Sequence, residues 1–337
     1  MKINNRRYIG CKQKLLQNIY DTVANLGFNN EYSFADIFAG TGVVGAFFAD
    51  KGYKVLLNDS LYSNYVSYQA WMGNGTLDEQ KVKNIVKFFN SIDSKSLPNN
   101  YFSKVYGGKY FSINNSKLIG FARDWVENHK NELSDKEYYY LITVIMYSAD
   151  KIANTVGHYE SYIKKEIKET KLVFGELDIL HINNEVELFN RDANELASEI
   201  EYDVVYLDPP YNARQYVNFY HVLENLARWN KPTIFEGDSM KFQRNELKSG
   251  YCRGKAKQLM ADLVEKLKCK VIIVSYNNTY SANSISSNNI ISELEMINIL
   301  QRKGEVERIE IDHRFFNTGK TEFKNHKEFL YICKVGR

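Results

Sequence analysis

Asp208, Pro209, Pro210 and Tyr211 follow directly on the apolar run Val204, Val205, Tyr206 and Leu207. An apolar run bounded by turn signals reads as a buried strand of a parallel sheet. Two prolines without backbone N–H groups must end that strand. The residue before a proline is driven to extended geometry, which applies to Asp208 and Pro209 alike. The tetrapeptide therefore predicts a stiff hook at the carboxyl end of a central strand, where open α/β sheets bind their ligands. It offers a carboxylate, backbone carbonyls and an aromatic face, a set suited to gripping a planar group by its exocyclic amine. Such an amine is a poor nucleophile, because its lone pair is delocalised into the ring. If Asp208 and the Pro209 carbonyl accept its two hydrogens, the nitrogen can pyramidalise and aim the lone pair at an electrophile. Positioning then matters more than acid–base power. A base inside a duplex reaches such a pocket only by flipping out, at a cost of roughly a few kcal/mol. Stacking on Tyr211 offsets part of this, at ~1–3 kcal/mol per base–aromatic contact.

A second chemical stretch lies near the amino terminus. Asp36, Ile37, Phe38, Ala39, Gly40, Thr41, Gly42, Val43, Val44 and Gly45 read as the end of a strand, a glycine turn and the start of a helix. Gly40, Gly42 and Gly45 have the GxGxxG spacing of a dinucleotide-type site. The motif alone serves NAD, FAD or S-adenosylmethionine equally. Asp59, about twenty residues on at the tip of the next expected strand, suits ribose hydroxyls. Asp192 ends another expected strand, and either meets a cofactor ring or caps the helix that follows.

The elements around these residues alternate as a doubly wound sheet requires. A helix is expected over 14–26, with Gly27 as its cap. Strands are expected over 33–37, 54–58, 186–190, 204–207 and 271–276, with helices to about residue 50 and over 61–69, 217–229 and 288–303. Segments 306–315 and 327–335 are expected to pair as an antiparallel hairpin at the sheet edge. Residues 76–170 break this rhythm and read as an inserted, mainly helical domain. Within it the helix over 134–154 opens on Ser134 and Glu137 at capping-box spacing, and Tyr138, Tyr139 and Tyr140 suit packing better than chemistry. The polar, basic segment 230–257 reads as a mobile loop hinged at Gly237, Gly250 and Gly254.

Composition sets the class. The 337 residues are 44% hydrophobic and 25% charged, ordinary values for a globular protein of one large domain plus an insertion. The net charge is only +3, but it is unevenly spread. Residues 1–14 carry Lys2, Arg6, Arg7, Lys12 and Lys14 with no acid, and residues 241–257 carry Lys241, Arg244, Lys248, Arg253, Lys255 and Lys257 against Glu246 alone. Two such segments suit a nucleic-acid footprint. Asn154, His158, Tyr159, Tyr162 and Lys164 interleave aromatic and basic residues, as contact with phosphates and bases demands. Arg214 and Gln215, just past the hook, suit either base reading, filling the gap left by a flipped base, or packing at a helix start. Cys11, Cys252, Cys269 and Cys333 lack CxxC spacing, so neither a disulfide framework nor a metal site is expected. With no signal peptide and no run of membrane-span length, a soluble intracellular protein is expected.

Taken together, the glycine motif and Asp208-Pro209-Pro210-Tyr211 resemble the paired signature of the D12 class, the Dam-like and FokI-type α-group adenine-N6 DNA methyltransferases. Tyr8-Ile9-Gly10-Cys11-Lys12 resembles that family's amino-terminal motif, and 154–159 its recognition region, so the likeness covers nearly the whole chain. The resemblance implies a Rossmann-like catalytic domain of residues 1–75 and 171–337 with a target-recognition domain at 76–170. It implies S-adenosylmethionine as cofactor, held by Tyr8, Gly10, Lys12, Asp36, Phe38, Gly40, Gly42, Asp59, Asp192 and Asp208. Lys14 is the alternative to Lys12 as partner of the cofactor carboxylate. It further implies double-stranded DNA as substrate, bound by Asn154, His158, Tyr159, Tyr162, Lys164, Arg214, Gln215, Arg244, Arg253 and Lys255, and a cognate restriction endonuclease as partner. The serine form of the catalytic motif, usual for cytosine-N4 enzymes, is absent, which favours adenine. Methylation of adenine in structured RNA, and a catalytically silent DNA-binding subunit, are the alternatives.

Overall fold

The structure, a computed structural model, describes residues 6–178, 180, 182–279, 288–312 and 327–336. Helix α1 (Leu16–Asn25) ends at Gly27, whose φ of +87° supplies the left-handed turn that stops it. Strand β1 (Ser33–Asp36), helix α2 (Val43–Asp50) and strand β2 (Lys54–Asn58) form the opening βαβ unit, with Phe34 opposite Val55 in a parallel ladder. Five helices then precede the next strand: α3 (Tyr62–Met72), α4 (Glu79–Ser91), α5 (Tyr101–Tyr106), α6 (Ile113–Asn128) and α7 (Asp135–Ile152). Ser134 and Glu137 close the expected capping box on α7, and Tyr138 and Tyr140 are buried in the core.

Strand β3 (Val186–Phe189), helix α8 (Ala193–Leu196), strand β4 (Val204–Leu207) and helix α9 (Tyr216–Arg228) follow. The segment expected as a hinged loop instead carries a small hairpin, β5 (Phe235–Glu236) and β6 (Lys241–Phe242), and leads into α10 (Ala256–Lys266). It is ordered by polar contacts that sequence periodicity does not register. Strand β7 (Val271–Asn277), helix α11 (Glu293–Gln301) and strands β8 (Gly304–Asp312) and β9 (Lys327–Val335) complete the fold. Residues 313–315 of the expected edge strand lie outside the described residues.

The main sheet runs β3-β2-β1-β4-β7-β9-β8. Its first five strands are parallel, and β9 and β8 add the expected antiparallel edge. Alternate residues of β4 serve opposite cores: Val204 and Tyr206 pack with α2, α3, α7 and α9, while Val205 and Leu207 pack with α8, α10 and α11. The chain leaves β1 for β2 on one side and returns to β4 on the other. This makes the carboxyl ends of β1 and β4 the topological switch point.

Candidate active site

The glycine turn leaves β1 at that switch point. Gly40 and Gly42 have φ of +53° and +78°, a region closed to most side chains. A Cβ on Gly40 would stand 3.1 Å from the Tyr8 ring, and one on Gly42 would stand 2.7 Å from Tyr68. Gly45 lets α2 approach β2, since a Cβ there would meet Leu57 at 2.5 Å. Asp59 shapes the turn from across the sheet. Its Oδ2 accepts from the Gly40 N–H at 2.9 Å and its Oδ1 from the Leu61 N–H at 2.7 Å. Burial nevertheless raises its pKa to about 6. Asp36 is buried with Oδ2 bound by the Gly45 N–H at 3.2 Å, while its Oδ1 has no partner among the described residues. Burial, and then the charge of Asp208, hold the Asp36 carboxyl well above its ordinary range.

The hook stands beside this turn. Asp208 Oδ1 accepts from the Tyr211 hydroxyl at 2.6 Å, and Oδ2 lies 2.8 Å from Lys12 Nζ, which also donates to the Tyr211 oxygen. Lys12 is only 5% exposed, whereas Lys14 faces solvent. This selects Lys12 as the lysine that can reach the hook. Burial opposes the Lys12 charge, but Asp208 and Glu328 outweigh it and raise its pKa. Burial also raises Asp208, against the lowering effect of Lys12 and of the Tyr211 hydrogen bond. Each oxygen of the ionised carboxylate keeps a further lone pair for an amine donor.

A cavity of about 340 Å³ joins the two motifs. Tyr8, Gly10, Lys12, Asp36, Phe38, Gly40, Asp59, Asp192 and Asp208 all line it. Gly42, Pro209 and Tyr211 are not among its lining residues. Asp192 lines the cavity, and its Oδ1 also caps α8 through the Asn194 and Glu195 N–H groups at 2.8 and 3.2 Å.

Several contributors escaped sequence reasoning. Tyr68 donates to the Gly40 carbonyl at 2.6 Å. Asn58 ties the ends of β1 and β3 together through Ile37 and Arg191. Tyr8 stacks on Tyr220 with ring centroids 4.6 Å apart, and the Ile9 N–H donates to the Tyr220 hydroxyl at 2.7 Å. Tyr216 and Tyr220, four apart on the helix after the hook, were the available signal. Residues 246–251 form another wall that no motif announced.

The basic amino-terminal segment is a correction. Arg6 and Lys12 are buried, and Arg7 pairs with Asp150, so their charges serve the interior; Lys2 lies outside the described residues. Arg6 is sandwiched against Tyr220 and Tyr8, contacts that its sequence neighbours do not signal. Three further expected DNA contacts are also committed internally. Tyr159 is buried and donates to Asp150 at 2.8 Å. Arg244 is 6% exposed and holds Asn218, Glu236 and the Phe242 carbonyl. Gln215 is buried against Ser249. Asn154 closes its own loop through the Lys109 and Ile163 carbonyls, and Tyr162 packs edge-on to Tyr110. Lys164, Arg214, Arg253 and Lys255 remain exposed, and His158 is half-buried against Phe219.

A sequence model described as the D12 class N6 adenine-specific DNA methyltransferases matches residues 8–299. This chain belongs to that family. It is 34% identical over 349 residues to modification methylase StsI of Streptococcus sanguinis, covering 98% of this chain and 52% of that protein. It is 32% identical over 351 residues to type II methyltransferase M.FokI of Planomicrobium okeanokoites, covering 97% of this chain and 52% of that one. Type II methyltransferase M.NlaIII of Neisseria lactamica is 29% identical over 341 residues, with 97% and 98% covered. The chain thus spans about half the length of the first two relatives and nearly all of the third. Among the described residues no helix is long and apolar enough to cross a membrane, and no cluster of three or more His, Cys, Asp or Glu is placed to hold a metal ion.

Proposed function

We propose that this chain is a site-specific DNA methyltransferase that transfers the methyl group of S-adenosylmethionine to the N6 amine of a flipped-out adenine. The observation that carries the reading is Asp208, a half-buried carboxylate in the proline hook beside the glycine turn, at the switch point of the sheet. The cavity fits the cofactor. Its lining carries Asp36, Asp59, Asp192 and Asp208, with one Asp36 oxygen unpartnered, which suits a cationic sulfonium. Tyr8, the Gly40–Gly42 turn, Asp59 and Asp192 would hold it, with Lys12 near its carboxylate. When bound, S-adenosylmethionine supplies the methyl group and takes back the electron pair of the broken carbon–sulfur bond.

The protein's own part is positioning. Lys12, held by Asp208 Oδ2 and by the Gly10 carbonyl at 3.2 Å, keeps the carboxylate ionised, and a second lone pair on that oxygen is left for an adenine amine. Asp208 then accepts a hydrogen bond from the amine, which raises electron density on the nitrogen and leaves its lone pair for the methyl group. The surplus proton left on nitrogen after transfer passes to Asp208, whose pKa burial has raised to suit that task. Tyr211 keeps the carboxylate aimed through its hydroxyl and offers its ring to the base.

Residues 76–170 are proposed as the target-recognition insert. Their 154–165 loop meets the β5–β6 hairpin, where the Ser239 hydroxyl donates to the Glu160 carbonyl at 2.7 Å and Tyr110 to the Ser239 carbonyl at 3.1 Å. Burial lowers the pKa of His158 on this loop, Glu160 opposes that, and the nearby charges of Arg214 and Lys241 add to the lowering, so basic groups gather at this edge. With Lys164, Arg253 and Lys255 it is proposed as the duplex-binding face. The relatives named as modification methylases support a place beside a cognate restriction endonuclease in a bacterial cell. The test is transfer of labelled methyl groups to duplex DNA and, separately, to ribosomal RNA. Label in DNA supports the reading; label confined to RNA would replace the substrate.

A further inference from the structure

We infer that Gln215 is a positioning residue whose side-chain amide latches residues 245–250 across the cofactor cavity and so sets how long an S-adenosyl compound stays bound. The inference rests on the proposed cofactor. Glu246, Leu247, Lys248, Ser249 and Gly250 line the cavity, yet they belong to no α-helix or strand. This strap hangs between two anchors. At one end buried Arg244 grips Asn218 of α9, Glu236 of β5 and the Phe242 carbonyl. At the other, buried Tyr251 donates to Asn194 Oδ1 of α8 at 2.7 Å and packs edge-on to Phe38, with ring centroids 5.1 Å apart. Between the anchors the strap is fastened by Gln215. Its Nε2 donates to the Ser249 carbonyl at 3.0 Å, and its Oε1 accepts from the Ser249 N–H at 2.8 Å. One amide thus satisfies both polar groups of a single residue, as a neighbouring strand would. The Cys252 thiol adds a contact to the Arg214 carbonyl at 3.2 Å.

Gln215 lies four residues beyond Tyr211 and precedes the first turn of α9, so the latch ties the strap directly to the element that follows the hook. A buried amide whose nitrogen and oxygen both hold Ser249 is committed to the strap, which gives this residue a different task from the one its sequence position suggests. Opening the latch frees the strap without touching Asp208, the glycine turn or either anchor.

Displacement of tritiated S-adenosylmethionine by excess unlabelled compound measures the latch. Two modest hydrogen bonds predict an off-rate about tenfold higher in Gln215→Ala than in wild type. The KM for S-adenosylmethionine should rise in step, with kcat lowered no more than threefold. Ser249→Pro removes the N–H that Gln215 accepts, and the Ser249 φ of −65° already suits proline. Its off-rate should exceed that of Ser249→Ala, which loses only the hydroxyl. The Gln215→Ala, Ser249→Pro double variant should be no faster than the faster single variant, because both break one fastening. Off-rates equal to wild type with intact binding would overturn the latch alone. A fully multiplicative double variant would overturn the pairing. Wild-type protein that binds no S-adenosyl compound would overturn the latch together with the proposed function.

Discussion

Lys12→Met isolates what the buried ammonium does for the hook. The substitution keeps the length and apolar stem of the side chain and removes the charge that faces Asp208 Oδ2 at 2.8 Å. The groups around Asp208 are then Tyr211, which still donates at 2.6 Å, and Glu328 of β9, whose charge opposes that of Asp208. Burial already raises the Asp208 pKa, and Lys12 is the first influence holding it down. Without Lys12 the carboxyl therefore keeps its proton to higher pH. A charge-assisted hydrogen bond of this kind is worth about 1.5–3 kcal/mol, which lowers the ionised fraction on the acid limb by about ten- to a hundredfold. Single-turnover methyl transfer at saturating cofactor should approach that loss on the acid limb of its pH profile and recover as pH rises. Lys14→Met, altering an exposed neighbour, should leave the profile in place. A Lys12→Met deficit equal at pH 6 and pH 9 would refute the electrostatic role and leave only cofactor binding to explain the lysine.

Three other outcomes follow from the geometry. Tyr211→Phe removes the hydroxyl held between Asp208 and Lys12 but keeps the ring, so it should slow transfer several-fold while 2-aminopurine fluorescence still reports flipping; Tyr211→Ala should lose both, and equal flipping in the two variants would discount stacking. Asp59 is ionised above about pH 6, so affinity for S-adenosylhomocysteine, measured by calorimetry, should fall as pH drops from 7 to 5, and Asp59→Asn should flatten that dependence. The same raised pKa means that the fold favours protonated Asp59, so its contribution to stability is greatest below pH 4 and is lost as pH rises through about 6. Neutralising exposed Arg214, Arg253 and Lys255 together should reduce the slope of log K for duplex binding against log salt by about three; an unaltered slope would remove them from the DNA face.

The parts of the site that were legible are those built by local backbone chemistry. Prolines end β4 wherever they occur, and glycines at 40 and 42 are needed by a turn whose φ values only they accept readily. Both motifs therefore announced their strands and the shared crevice. The capping box of α7 was readable for the same reason. What stayed hidden depends on partners far along the chain. Arg6 and Arg7 read as surface charge until Tyr220 and Asp150 are brought to them. Tyr159 and Arg244 have the residue types of nucleic-acid contacts, and only tertiary packing shows that their polar atoms are already used. The 245–250 strap has no periodicity, so its role rests on Gln215, thirty-four residues earlier.

The central claim is that Asp208 directs a methyl group onto adenine N6. Wild-type protein and Asp208→Asn should each be incubated with S-adenosylmethionine and unmethylated plasmid, and the digested nucleosides analysed by mass spectrometry. The wild type should produce N6-methyladenine at a defined sequence, and Asp208→Asn should bind cofactor yet yield at least a thousandfold less. N4-methylcytosine as the product, or an Asp208→Asn variant that methylates adenine at the wild-type rate, would contradict it.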